Sequence, residues 1–111
     1  MATDGLSLKF AALADPTRRG ILARLAQGEA TVNELAEPFP VSLPAISRHL
    51  KVLERAGLVS RRRAAQSRPT RLRVEGLREA DEWMDSCQAV WEGRVRRLDA
   101  HLDEVMGGGR G

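Results

Sequence analysis

Val32-Asn33-Glu34-Leu35-Ala36, followed by Val41-Ser42-Leu43-Pro44-Ala45-Ile46-Ser47-Arg48-His49-Leu50-Lys51-Val52-Leu53-Glu54-Arg55-Ala56-Gly57-Leu58-Val59, is the stretch on which the fold turns. Thr31 and Glu34 have the spacing of a capping box, in which each side chain satisfies an amide of the other residue. That box opens a short helix carrying Leu35, which Pro38 and Pro40 then halt. Ser42 is a second N-cap. Behind it Ile46, Leu50 and Leu53 form the apolar stripe of a longer helix that ends at Gly57. With that stripe facing inward, Leu43, Pro44, Ser47, Arg48 and Lys51 fall largely on the outward side. The outward side is small, polar and basic.

Working outward, the segment from Leu6 to Ala14 places Leu6, Phe10 and Leu13 on one helical face. Asp15-Pro16 reads as an N-cap followed by a first helical residue that needs no amide. The helix it opens carries Ile21, Leu22 and Leu25 and stops near Gly28. Downstream the period changes. Leu58–Arg63 and Thr70–Val74 read as two short strands around a loop containing Ser67 and Pro69. Leu77 to Val105 is one long helical pattern. The expected fold is therefore mainly α with a β-hairpin wing, a winged helix-turn-helix.

The chain has 111 residues, enough for one domain and too few for two. That domain is assigned to residues 1–106, with the Gly-rich residues 107–111 as a disordered tail. The net charge of +3 conceals its placement. Ser42 to Glu75 holds nine basic side chains against two acids, whereas Gly76 to Met106 holds four against eight. A strongly basic middle and an acidic end point to a polyanionic partner for the middle, although a solvated charged face gives the same composition. No apolar run approaches the roughly 18 residues that span a bilayer, and no signal peptide opens the chain. A cytoplasmic protein, nucleoid-associated when on DNA and without a membrane partner, is expected. One cysteine, Cys87, cannot form an intramolecular disulfide. The carboxylates and histidines form no catalytic motif, so no enzyme activity and no catalytic residue are expected.

A narrow basic helix suits a major groove about 12 Å wide. There Ser47 can bond a base edge or phosphate, and Arg48 can contact guanine or phosphate bidentately. Ser42 places first-turn amides where a phosphate could dock, and His49 can help to position one. Arg61, Arg62 and Arg63 precede the loop, Arg68 lies in it, and Arg71 and Arg73 follow. Alternation puts Arg61 and Arg63 on one face, and Arg71 and Arg73 on one face, a hairpin with a basic exposed side. Such a wing can follow the phosphate backbone, with an arginine at its tip in a minor groove. The expected DNA-binding set is Ser42, Leu43, Pro44, Ser47, Arg48, His49, Lys51, Arg61, Arg63, Arg68, Arg71 and Arg73.

On the last helix Leu77, Met84, Trp91, Leu98 and Val105 recur every seven residues, with Ala80, Cys87, Val95 and Leu102 between them. A seven-residue seam of this kind serves a dimer or packs on its own domain. Trp83 and Trp91 add much burial potential to a small chain.

Ala12-Leu13-Ala14-Asp15-Pro16-Thr17-Arg18-Arg19-Gly20-Ile21-Leu22, together with Ile46-Ser47-Arg48-His49-Leu50-Lys51-Val52-Leu53 and Ala56-Gly57-Leu58-Val59, closely resembles the ArsR/SmtB family of bacterial repressors. The resemblance runs from about Leu8 to Glu104. It implies a homodimer that binds an imperfect inverted repeat in a promoter, commonly its own, as its double-stranded DNA operator. By motif position it puts base reading on Leu43, Pro44, Ser47 and Arg48. Leu43 and Pro44 are less polar than many members carry there, which leaves the mode of direct reading open, apolar contact with a thymine methyl being one mode. It also pairs the first and last helices across a two-fold axis, through Leu6, Phe10, Leu13, Leu77, Met84, Cys87, Trp91, Leu98 and Leu102.

Many relatives sense metals, and the resemblance implies where ligands would lie. The cysteine pair of the thiolate sensors has no counterpart in Asn33-Glu34-Leu35-Ala36-Glu37. The last-helix site finds His101 and Glu104, but its other half falls on Gln88 and Val90. Two ligands per chain could bridge a dimer, since zinc takes four, and Cys87 could serve as a redox switch. The expectation is nevertheless no metal, no cofactor and an unknown effector. Phe39-Pro40-Val41-Ser42 resembles the metal-free branch. The alternatives are a metal- or thiol-responsive repressor, or a winged-helix protein-interaction module without DNA.

Overall fold

The computed structural model describes residues 4–62 and 69–107. The first four helices each begin on a side chain that accepts a first-turn amide. Asp4 takes the Ser7 amide at 2.7 Å and opens α1 (Gly5–Leu13). Asp15 takes the Arg18 amide at 3.0 Å and opens α2 (Pro16–Leu25), with Pro16 in the first turn. Thr31 and Glu34 close the capping box over α3 (Val32–Ala36). Ser42 accepts from the Ala45 amide at 3.3 Å and opens α4 (Leu43–Arg55).

The helix ends are equally local. α2 stops at Leu25, ahead of Gly28, because the amides of Gln27 and Gly28 turn back to the Arg24 and Leu25 carbonyls and tighten the last turn. α4 ends on Gly57, whose φ of 75° is left-handed. The Leu58 amide reaches the Leu53 carbonyl at 2.9 Å and the Gly57 amide the Glu54 carbonyl at 3.0 Å. This is a Schellman stop.

β1 (Val59–Arg61) and β2 (Thr70–Leu72) pair antiparallel, with Val59 opposite Leu72, Ser60 opposite Arg71 and Arg61 opposite Thr70. Arg73→Leu58 and Arg62→Pro69 amide-to-carbonyl bonds extend the ladder at either end. Thr70 also exchanges both backbone bonds with Ala30, at 2.8 and 3.0 Å, which ties the hairpin to the segment ahead of α3. α5 runs Val74–Gly107 and opens three positions before the expected Leu77, so β2 is curtailed at Leu72.

The chain divides into two units, Met1–Ala80 and Asp81–Gly111. In the first, Ala12, Ile21, Leu22, Leu25, Leu35, Ile46, Leu50, Leu53, Leu58 and Val59 form one buried core. Lys9 on α1 is buried there with its ammonium 3.1 Å from Glu79. The second unit is the helical stretch of α5 from Asp81, whose side chains are exposed or half-exposed. The tail beyond Gly107 lies outside the described residues.

Candidate nucleic-acid interface

Ile46, Leu50 and Leu53 are fully buried and fix the orientation of α4. On the opposite side Leu43, Pro44, Arg48 and Lys51 are exposed and Ser47 is half-buried. Leu43 leaves 48% of its surface open at the start of the helix. Exposed apolar surface next to a guanidinium and an ammonium can meet both a thymine methyl and polar base edges or phosphates. The start of the helix is a less open anion site than the sequence implies. Pro44 has no N–H and the Ser42 hydroxyl already takes the Ala45 amide, leaving the Leu43 amide in the first turn.

The hairpin register divides the wing arginines. Residues directly opposite share a face, so Arg61 lies with buried Thr70 on one face and Arg71 lies with Ser60 on the other. The basic side expected from alternation is therefore not shared by Arg61 and Arg71. Arg61 is half-buried and donates from Nη2 to the Ser47 carbonyl at 3.5 Å, which braces the wing against α4. Its Nε and the Thr70 hydroxyl are buried without a partner among the described residues. Arg62 is held by Glu29 at 3.0 Å. Arg71 and Arg73 are exposed. Arg63 and Arg68 lie outside the described residues.

His49 turns toward the body of the first unit. Its Nδ1 lies 3.2 Å from Nη1 of Arg18 and 4.0 Å from the Asp15 carboxylate. Arg18 also donates from Nε to the Ala12 carbonyl at 2.8 Å and from Nη2 to the Ala11 carbonyl at 3.1 Å. Arg19 reaches the Leu13 carbonyl at 2.8 Å. These two arginines supply donors to the Ala12 and Leu13 carbonyls at the end of α1 and a second donor to that of Ala11, which also accepts from the Ala14 amide. The local pattern along the chain does not assign Arg18 and Arg19 this role. A basic pair just past a helix end is the signal that could have found them. The Asp15 carboxyl is held below the ordinary carboxylate value first by the Arg18 amide and further by the Arg18 charge.

Of the expected dimer residues, Leu6, Phe10, Leu13 and Leu77 are half-buried in the first unit, where Leu13 and Leu77 pack against its core. In the second unit Met84, Cys87, Trp91, Leu98 and Leu102 are exposed. His101 and Glu104 are exposed there too. Among the described residues, no three His, Cys, Asp or Glu side chains are grouped so as to hold a metal ion. No helix among them is long and apolar enough to cross a membrane.

A helix-turn-helix domain model matches residues 13–62. The transcriptional regulator Rv2034 of Mycobacterium tuberculosis is 54% identical over 66 residues, 60% of this chain and 62% of that protein. The chain thus spans less than two thirds of the length of Rv2034. The transcriptional repressor SdpR of Bacillus subtilis is 40% identical over 68% of this chain and 83% of its own length. Among solved structures, an ArsR-family transcriptional regulator is 38% identical with a TM-score of 0.76, over 80% of this chain and 98% of that one. The chain belongs to the ArsR/SmtB family. The homodimeric winged helix-turn-helix DNA-binding domain of Mb0332 from Mycobacterium bovis is similar at 26% identity and a TM-score of 0.62, over 79% of this chain and 91% of that one. The ArsR/SmtB proteins are DNA-binding winged helix-turn-helix regulators of transcription and not enzymes. In family terms α3 and α4 are the helix-turn-helix, and β1–β2 is the wing.

Proposed function

We propose that this ArsR/SmtB chain is a homodimeric repressor that occupies an inverted-repeat operator in the cytoplasm, its own promoter among the targets. α4 enters the major groove with Leu43, Pro44, Ser47 and Arg48 toward the bases. Lys51, Arg71 and Arg73 meet phosphates. The observation that carries this reading is the division of α4 into a fully buried apolar stripe and an exposed face bearing Arg48 and Lys51. The repressor SdpR and the homodimeric domain of Mb0332 support the repression and the pairing by similarity. The exposed apolar positions of α5 support pairing independently.

Gel-shift titrations at two salt concentrations test it. Arg48→Ala is expected to cost roughly 1–3 kcal/mol on the preferred duplex and to relax sequence preference. Lys51→Ala is expected to weaken all duplexes alike and to lower the salt slope by about one. Affinities that neither substitution changes on any duplex contradict the reading.

A further inference from the structure

The Arg18 guanidinium reaches three acceptors on two other helices: the Ala11 and Ala12 carbonyls of α1 and Nδ1 of His49 on α4. It is the point where α1, α2 and α4 are joined by polar contacts. Arginine only donates, so the Arg18–His49 contact needs a neutral imidazole with a lone pair on Nδ1 and its proton on Nε2. The imidazole is largely shielded, with 22% of its side-chain surface open. The charged groups recorded within 4.0 Å of its Nδ1 among the described residues are Arg18 of α2 and Asp15 at the cap of α2, and the same Arg18 holds the Ala11 and Ala12 carbonyls of α1. His49 adjoins Arg48, whose side chain is on the exposed face of the same helical turn.

We propose that His49 is a positioning residue for operator reading: by accepting from Arg18 it seats α4 against α2 and so sets the aim of Arg48. This rests on α4 being the recognition helix, and it replaces direct phosphate contact as the role of His49. Protonation of the imidazole removes the acceptor and sets two cations side by side, with the Asp15 carboxylate as the alternative partner. The seat of α4 then changes. Base reading depends on ångström-level placement, whereas attraction to phosphate does not, so the expected loss is in discrimination between sequences.

The specific probe is the duplex that the unaltered protein enriches from a randomised library, and the reference is a scrambled duplex of equal composition. His49→Leu fills the space without an acceptor, while His49→Asn places its side-chain oxygen near the position of Nδ1. The Leu variant is expected to lower the specific-to-nonspecific affinity ratio about tenfold or more, and the Asn variant to retain it. Measured from about pH 8 down to about pH 5.5, the ratio should fall for the unaltered protein and stay level for His49→Asn. Leu and Asn variants with the same ratio overturn the proposal. Should His49→Leu not fold, a ratio level with pH in both remaining proteins overturns it. Failure to enrich any duplex overturns instead the assignment of α4 as recognition helix, a result distinct from retained reading with a silent His49.

Discussion

At Gly76 the approach of two backbones leaves no room for a side chain. A Cβ there would run into the Gly57 carbonyl and press on Leu58, so the first turn of α5 rests directly on the stop of α4. Gly57 must itself adopt a left-handed φ, which other residues enter at a cost of about 1–2 kcal/mol. The Gly57 obstacle is backbone and cannot swing aside as the end of a side chain could. Gly76→Ala is therefore expected to destabilise by roughly 1–3 kcal/mol, the range for forcing atoms into a filled space. Thermal melts against Gly5→Ala, where a Cβ meets nothing within 4 Å, provide the check. Equal melting temperatures for the two variants contradict the packing argument.

At the scale of elements, the caps that start the helices also make stability depend on acid. The Asp4, Asp15 and Glu34 carboxyls are held below their ordinary values of 3.8, 3.8 and 4.5, first of all by the amides of Ser7, Arg18 and Thr31 respectively. A lowered folded-state value means stability that is full above the ordinary value and lost as pH falls through the folded one. The share of the melting temperature that these carboxylates supply should be complete above about pH 5 and be lost below it. Asp15→Asn, which keeps a capping oxygen without the charge, should flatten part of that fall. An unchanged acid limb contradicts the role given to Asp15. The caps were legible in the sequence because Asp15-Pro16, Thr31–Glu34 and Ser42 act over three residues. Gly57 was legible for the same reason. The wing register was not, because alternation orders each strand and leaves its partner's offset open; hence Arg61 and Arg71 part company. The Arg18–His49 contact spans 31 positions, a pairing that only the packing of α2 on α4 creates. Periodicity also left open whether Leu13 and Leu77 serve a partner or their own core.

Over the whole molecule, the basic middle and the acidic end fall on different elements. The arginine-rich stretch coincides with α4 and the hairpin, and the acid-rich stretch coincides with α5. From Asp81 on, Trp91 is 64% exposed, Leu98 56% and Leu102 45%. Exposed aromatic and aliphatic side chains at seven- and four-residue spacing are what a paired helix buries. Trp91→Glu is expected to shift sedimentation equilibrium from dimer toward monomer while the helices of the first unit keep their circular dichroism. A dimer of unaltered stability in that variant removes Trp91 from the interface. Pairing matters for DNA because a two-fold axis sets two recognition helices about one turn, roughly 34 Å, apart.

Selection of duplexes from a randomised library by the unaltered protein, followed by sequencing, tests the central claim most directly. The account predicts enrichment of an inverted repeat whose half-sites are centred about 10 base pairs or a multiple of that apart, with Arg48→Ala relaxing the preference inside each half-site. Recovery of unselected sequence, bound equally by the protein and by Arg48→Ala, would contradict it.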